Sequence, residues 1–152
     1  MTHSALLLLG IVALAMPTLA GTPDLSKLPP AARQKGVAYE KDIRPIFDAS
    51  CVRCHGANRP KADLRLDSLE AALKGGEHGK VIVAGKSEKS GLVIAVARLD
   101  EEKAMPPAMK PGRGPGGGPG GPGGPGGLGS PPKPLTTEQV ALVRAWIDQG
   151  AK

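Results

Sequence analysis

Two thiols and an imidazole lie within five consecutive residues, Cys51-Val52-Arg53-Cys54-His55, and these are the only cysteines of the chain. On a helix, a spacing of three brings the two sulfurs to one face about a turn apart. There they can add to the two vinyl groups of a porphyrin while the next side chain swings its imidazole under the iron. This is the haem-attachment spacing. Three other uses of the same groups compete with it. A redox dithiol needs a thioredoxin-like strand and helix around it, and the flanking pattern is not of that kind. Zinc needs a fourth ligand, which only His78 or a carboxylate is left to supply. A plain structural disulfide is the last alternative. The expectation is one haem c per chain, bound covalently at Cys51 and Cys54, with His55 as the proximal iron ligand.

What such a haem does depends on the far side of the iron. Beyond residue 20, His78 is the only other histidine, and Met105 and Met109 are the only methionines. Met105 leads into Pro106-Pro107, and two prolines stiffen the backbone so that a thioether is held at fixed reach. A soft thioether favours ferrous iron and raises the potential, which suits electron transfer over oxygen activation. Met105 is therefore expected as the distal iron ligand, with Met109, His78 or an iron lacking a sixth protein ligand as alternatives. His78 sits in Gly75-Gly76-Glu77-His78-Gly79, a turn composition that predicts an exposed ring. Arg59, Lys61 and Arg65 are close enough in sequence to be candidates for the haem propionates.

The elements that must position these groups are short helices. Asp42 is a candidate cap, with Pro45 in the tolerated first turn. Ile43, Ile46, Phe47, Cys51 and Cys54 then recur at helical spacing, so one apolar face runs straight into the cysteine pair. Ala62 to Leu66 reads as extended, with Leu64 and Leu66 on one side. Asp67 and Glu70 have capping-box spacing ahead of Leu69, Ala72 and Leu73, and Gly75-Gly76 should stop that helix. Ser87 is expected to cap a helix carrying Leu92, Val93 and Val96. The best specified helix is the last. Thr136 and Gln139 form a capping box, Leu135 and Val140 a hydrophobic staple, Val140, Val143, Trp146 and Ile147 a buried stripe, and Gly150 a stop.

Composition bounds the rest. With 22 Gly, 16 Pro and 2% aromatic residues, the chain has little large apolar surface to bury, so an apolar cofactor at its centre would stabilise it substantially. Ala5 to Met16 is an apolar run followed by Pro17 and Thr18-Leu19-Ala20, which predicts a signal peptide over 1–20, cleaved after Ala20. An uncleaved tether and a cytoplasmic protein with an apolar start are the weaker readings. Export to the periplasm, or otherwise outside the cytoplasmic membrane, follows, with no transmembrane span after signal removal. Residues 21–35 read as a polar linker or short helical lead-in. Residues 111–134 are a Gly/Pro-rich insertion, too irregular for a collagen helix and expected as a disordered loop inside one domain spanning 36–152. The formal net charge of +6 favours encounter with a redox partner bearing an acidic surface. Nucleic acid is a poor partner for a chain whose basic residues are interspersed with acids and whose aromatic surface is so small.

Asp42-Ile43-Arg44-Pro45-Ile46-Phe47 before the Cys51 to His55-Gly56 motif, then Leu64 to Ser68, Gly85-Lys86, Met105-Pro106-Pro107 and Leu142 to Ala151, resemble the planctomycete-type cytochrome c domain. The resemblance covers roughly residues 36–152 apart from the Gly/Pro loop. It implies an all-α, small cytochrome c fold, with several short helices around one covalent haem. It also implies thioether bonds at Cys51 and Cys54, axial ligation by His55 and Met105, and first and last helices that cross with Phe47 near Trp146. The insertion is a departure from the family pattern. Single-electron transfer by a carrier, more than an enzyme, is the function expected. The alternatives are a haem enzyme or gas sensor with an open sixth position, and a binding module whose haem is structural.

Overall fold

The computed structural model describes residues 22–107 and 132–152. The expected leader over 1–20, Met109, and the Gly/Pro-rich stretch from 111 to 131 lie outside the described residues. The described chain is helical, with no β-strand, as an all-α fold requires.

The first helical stretch begins earlier than Asp42. A π-helical turn over Tyr39–Ile43 runs directly into α1, Arg44–Ser50. Pro45 has no N–H to offer the Lys41 carbonyl, and in a regular α-helix its ring would press on that oxygen. The wider turn, closed by the Arg44 N–H on the Tyr39 carbonyl, takes up this misfit. Asp42 is thus inside the first turn, and its carboxylate reaches back to accept the Ala38 N–H at 2.9 Å. It satisfies a free donor at the helix start without being the cap.

A second helix, α2, covers Val52–His55. After it, Leu64 to Leu66 run extended, with Leu66 buried and Leu64 packed against the core. Helix α3, Leu69–Lys74, is capped by Ser68, whose Oγ accepts the Ala71 N–H at 3.3 Å. Asp67, the expected cap, is instead held by Arg65, with Nε and Nη2 at 3.0 and 2.8 Å from its two carboxylate oxygens. The arginine outcompetes the backbone for this carboxylate because two parallel charge-assisted bonds are stronger than one bond to an amide. Gly75 stops the helix at φ +85°, a conformation open to glycine without a side-chain clash.

Helix α4, Gly91–Val96, also starts later than expected. Ser87 lies in a separate 3-10 turn, Ser87–Lys89. Its N–H and Oγ donate to the two carboxylate oxygens of Asp148 at 2.8 and 2.9 Å, a partner from the far end of the chain. The last helix, α5, Thr137–Asp148, matches its local signals. The Thr136 N–H donates to Gln139 Oε1 at 2.9 Å and the Gln139 N–H to Thr136 Oγ1 at 3.3 Å. Leu135 and Val140 are both buried beneath it.

Tyr39, Phe47 and Trp146, all the aromatic residues of the chain, meet in one cluster at the crossing of the first and last helices. Their ring centroids lie 5.8 Å apart for Tyr39–Trp146, 6.2 Å for Tyr39–Phe47 and 6.3 Å for Phe47–Trp146. Tilted and edge-to-face pairs of this kind contribute about 0.5–1.5 kcal/mol each beyond the area they bury. A chain with three aromatic rings has concentrated them at one point.

The stretch read as a polar linker or helical lead-in holds one 3-10 turn, Leu25–Lys27, and from Leu28 onward it lies along α5. The Ala32 N–H donates to the Ala141 carbonyl at 2.9 Å, and Gln149 clasps the Gln34 carbonyl and the Gly36 N–H at 2.8 Å each. Arg144, almost fully buried, donates to the Pro29 carbonyl, to Ser87 Oγ at 3.1 Å and to Glu88 Oε1 at 3.1 Å. A buried guanidinium is tolerated because its donors find acceptors. Leu28 and Val37 add buried apolar area, and the polar composition of this arm reflects its exposed side.

Candidate haem site

The cysteine motif occupies a kink. α1 ends at Ser50, and Cys51, at φ −122° and ψ −42°, is at once its C-cap and the N-cap of α2. The Cys51 N–H still donates to the Phe47 carbonyl at 2.7 Å, and the Cys51 carbonyl accepts the N–H groups of Cys54 and His55 at 3.0 and 2.9 Å. The single helix expected from spacing is therefore two, yet the apolar face continues. Ile43, Ile46, Phe47 and Cys51 are buried, and Cys54 is half-buried. Gly56 follows His55 where a Cβ would come within 2.6 Å of the Val52 carbonyl oxygen, so a side chain there would force the turn open.

The two thiols are not bonded to each other. Burial, with Cys54 adding to it, pushes the Cys51 thiol up to about 12. Dithiol exchange relies on a thiol that ionises readily, and a buried one does not serve it. Among the described residues no group of three or more His, Cys, Asp or Glu is arranged to hold a metal ion, so the structure lends nothing to a zinc reading.

His55 is half-buried, with Nδ1 3.1 Å from the Leu64 carbonyl oxygen. A carbonyl only accepts, so Nδ1 carries the proton in this contact. Burial lowers the pKa of the ring, against the Leu64 and Lys61 carbonyls that favour its charged form. A neutral ring protonated at Nδ1 leaves its lone pair on Nε2, the state in which imidazole binds a metal, and the carbonyl also sets the ring's orientation. The extended Leu64 segment is itself tied down. The Leu66 N–H donates to the His55 carbonyl at 2.7 Å, and the Tyr39 hydroxyl to the Leu66 carbonyl at 2.8 Å.

Met105 lies on the loop after α4. Its N–H donates to the Ala95 carbonyl at 3.0 Å. Ala104 and Pro106 on either side are buried, whereas the Met105 side chain is 39% exposed. Its thioether is therefore not packed into the core. His78 is exposed as its turn composition predicts, with Nε2 3.0 Å from Glu77 Oε1. Of the propionate candidates, Arg65 is committed to Asp67.

One buried and one half-buried thiol three residues apart, an imidazole protonated at Nδ1 and an exposed thioether are groups of the kinds a haem c takes. Sequence reasoning missed the Leu64 carbonyl and the Tyr39 hydroxyl behind it. The first is a backbone atom without a side-chain signature, and Tyr39 could have been suspected only as one of three aromatic residues. No helix among the described residues is long and apolar enough to cross a membrane. Residues 51–109 match the family model described as Planctomycete cytochrome C. No curated protein and no solved structure matches the chain.

Proposed function

From a chain that carries a planctomycete-type cytochrome c domain, we propose an exported mono-haem electron carrier, with thioether bonds at Cys51 and Cys54 and axial ligation by His55 and Met105. The observation that carries this reading is the contact between His55 Nδ1 and the Leu64 carbonyl at 3.1 Å, made within the cysteine-histidine turn. A ligating histidine ordinarily donates its second ring N–H to such an acceptor, which fixes the tautomer and makes the other nitrogen more basic. When bound, the haem supplies a one-electron iron couple whose potential a thioether ligand raises.

The chain's own residues do the rest. Cys51 and Cys54 hold the ring covalently, so that it is not lost outside the cytoplasm. Ile46 and Phe47, one turn before the motif, contribute to the apolar core that excludes water from its buried side. Met105 presents its sulfur from a backbone anchored on α4. The apolar leader supports export, and the net charge of +6 supports a partner with an acidic surface, which long-range attraction would bring into encounter.

Mature protein from a host with working haem-maturation machinery should stain for haem after denaturing electrophoresis. It should titrate reversibly with one electron and show a six-coordinate, low-spin spectrum with a thioether signature that Met105→Ala removes. Retention of that signature in the variant would overturn the distal-ligand assignment. Colourless mature protein would overturn the whole reading.

A further inference from the structure

Helix α4 ends in a doubly bonded turn. The Arg98 N–H donates to the Ala95 carbonyl at 3.1 Å and the Leu99 N–H to the Ile94 carbonyl at 3.2 Å. This pattern calls for a left-handed residue just past the C-cap, where glycine is the ordinary choice. The residue here is Arg98, at φ +56°. An arginine carried into a conformation that L side chains resist points to a use for the side chain itself.

The use is visible three residues beyond the following charged turn. Arg98 Nη1 donates to the Pro106 carbonyl at 2.7 Å, the length of a charge-assisted bond. The Met105 N–H, at the other end of the same dipeptide, is held by the Ala95 carbonyl at 3.0 Å. Both ends of Met105-Pro106 are therefore fastened to the terminus of α4, with Met105 projecting between buried Ala104 and Pro106.

We infer that Arg98 is a positioning residue, which by gripping the Pro106 carbonyl holds the Met105 thioether at fixed reach from the iron. The inference rests on the proposed role of Met105 as axial ligand. It assigns to a residue outside the haem motif and the Met-Pro-Pro segment the task of keeping the sixth position closed.

The test uses the haem-loaded mature chain with Arg98→Gly, Arg98→Met and Arg98→Lys. Arg98→Gly suits the left-handed backbone better than arginine does and removes the whole side chain, whereas Arg98→Met keeps most of the aliphatic stem and loses the guanidinium, so the pair separates positioning from helix capping. Three quantities are read: ferrous carbon monoxide binding rate, the thioether absorption signature, and hydrogen exchange at the Met105 amide. In Arg98→Gly and Arg98→Met, carbon monoxide binding and Met105 exchange should both rise about tenfold, as loss of one charged hydrogen bond predicts. Arg98→Lys should fall between these variants and wild type. Wild-type values for all three quantities in Arg98→Gly would overturn the inference and leave Arg98 a mere cap. If wild-type protein itself shows no thioether signature, the axial assignment of Met105 fails separately. Exchange at the Met105 amide then still decides whether Arg98 holds the segment: faster exchange in Arg98→Gly supports the grip, and unchanged exchange overturns it.

Discussion

On the proposed ligation, the Cys51–His55 turn and the Met105-Pro106 segment would face the iron from opposite sides, and they are held by different physics. The turn is continuous with α1 and grows out of the aromatic crossing of Tyr39, Phe47 and Trp146. Its histidine is backed by the extended Leu64 to Leu66 segment, which Tyr39 secures in turn. The Met105 segment relies on two polar anchors at the end of α4, the Ala95 carbonyl and the Arg98 guanidinium. One face of the site is thus coupled to the stability of the whole fold. The other is held by local bonds, contributing about 0.5–1.5 kcal/mol for the backbone one and about 1.5–3 kcal/mol for the charged one. The two faces should fail independently: a ligand can leave the iron from the methionine side while the fold stays intact, but the histidine side should go only with the core.

The largest effect should come from the motif itself. Replacing both cysteines, Cys51→Ala with Cys54→Ala, should abolish haem staining of the denatured polypeptide. Haem that stays attached to that variant would break the comparison at its root. Next is the core behind the turn. Trp146 is fully buried and donates from Nε1 to the Lys152 carbonyl at 3.0 Å, so Trp146→Ala should destabilise the fold by ~3–5 kcal/mol in denaturant unfolding.

A smaller effect belongs to Tyr39. Tyr39→Phe removes the hydroxyl bonded to the Leu66 carbonyl and should cost about 1 kcal/mol at neutral pH. It should also change the alkaline behaviour. Burial, with Glu40 adding to it, pushes the Tyr39 phenol from 10.0 up to about 12. The unfolded chain releases this proton before the folded one does. Its contribution to stability is therefore whole below pH 10 and is lost as pH rises from there to about 12. Unfolding of wild type and Tyr39→Phe, compared across that window, should show the steeper fall in wild type; parallel curves would count against the burial. Least disturbed should be the fold of Met105→Ala. Its exposed side chain predicts a change of less than about 0.5 kcal/mol, in the same variant expected to lose the thioether signature. A large destabilisation there would show that the segment is part of the core after all.

Different parts of the molecule were legible to different degrees along the chain. Helix α5 was readable because its cap, box partner and staple all fall within six residues, Leu135 to Val140, and neighbours that close meet in any helical geometry. The caps at Asp42, Asp67 and Ser87 were misplaced for a common reason. Each has a side chain able to bond a nearby amide, and each is taken up by another partner: the Ala38 amide just before the first turn, Arg65 two residues away, and Asp148 from the far end of the chain. The arm over 28–37 looked like linker because its composition is polar. It is held largely through backbone carbonyls and amides, which every sequence possesses.

For this protein, proximity along the chain was enough to single out the groups proposed for haem attachment, since Cys51, Cys54 and His55 fall within one short turn. It was also enough to single out Met105, the methionine that leads into the paired prolines. Three-dimensional packing was needed to choose the nitrogen on which His55 carries its proton, to project Met105 into the open and to bring Arg98 onto Pro106. Each of those depends on a carbonyl oxygen, or on burial of the residues on either side. Backbone atoms are the same at every position, so only the folded arrangement decides which of them a side chain meets.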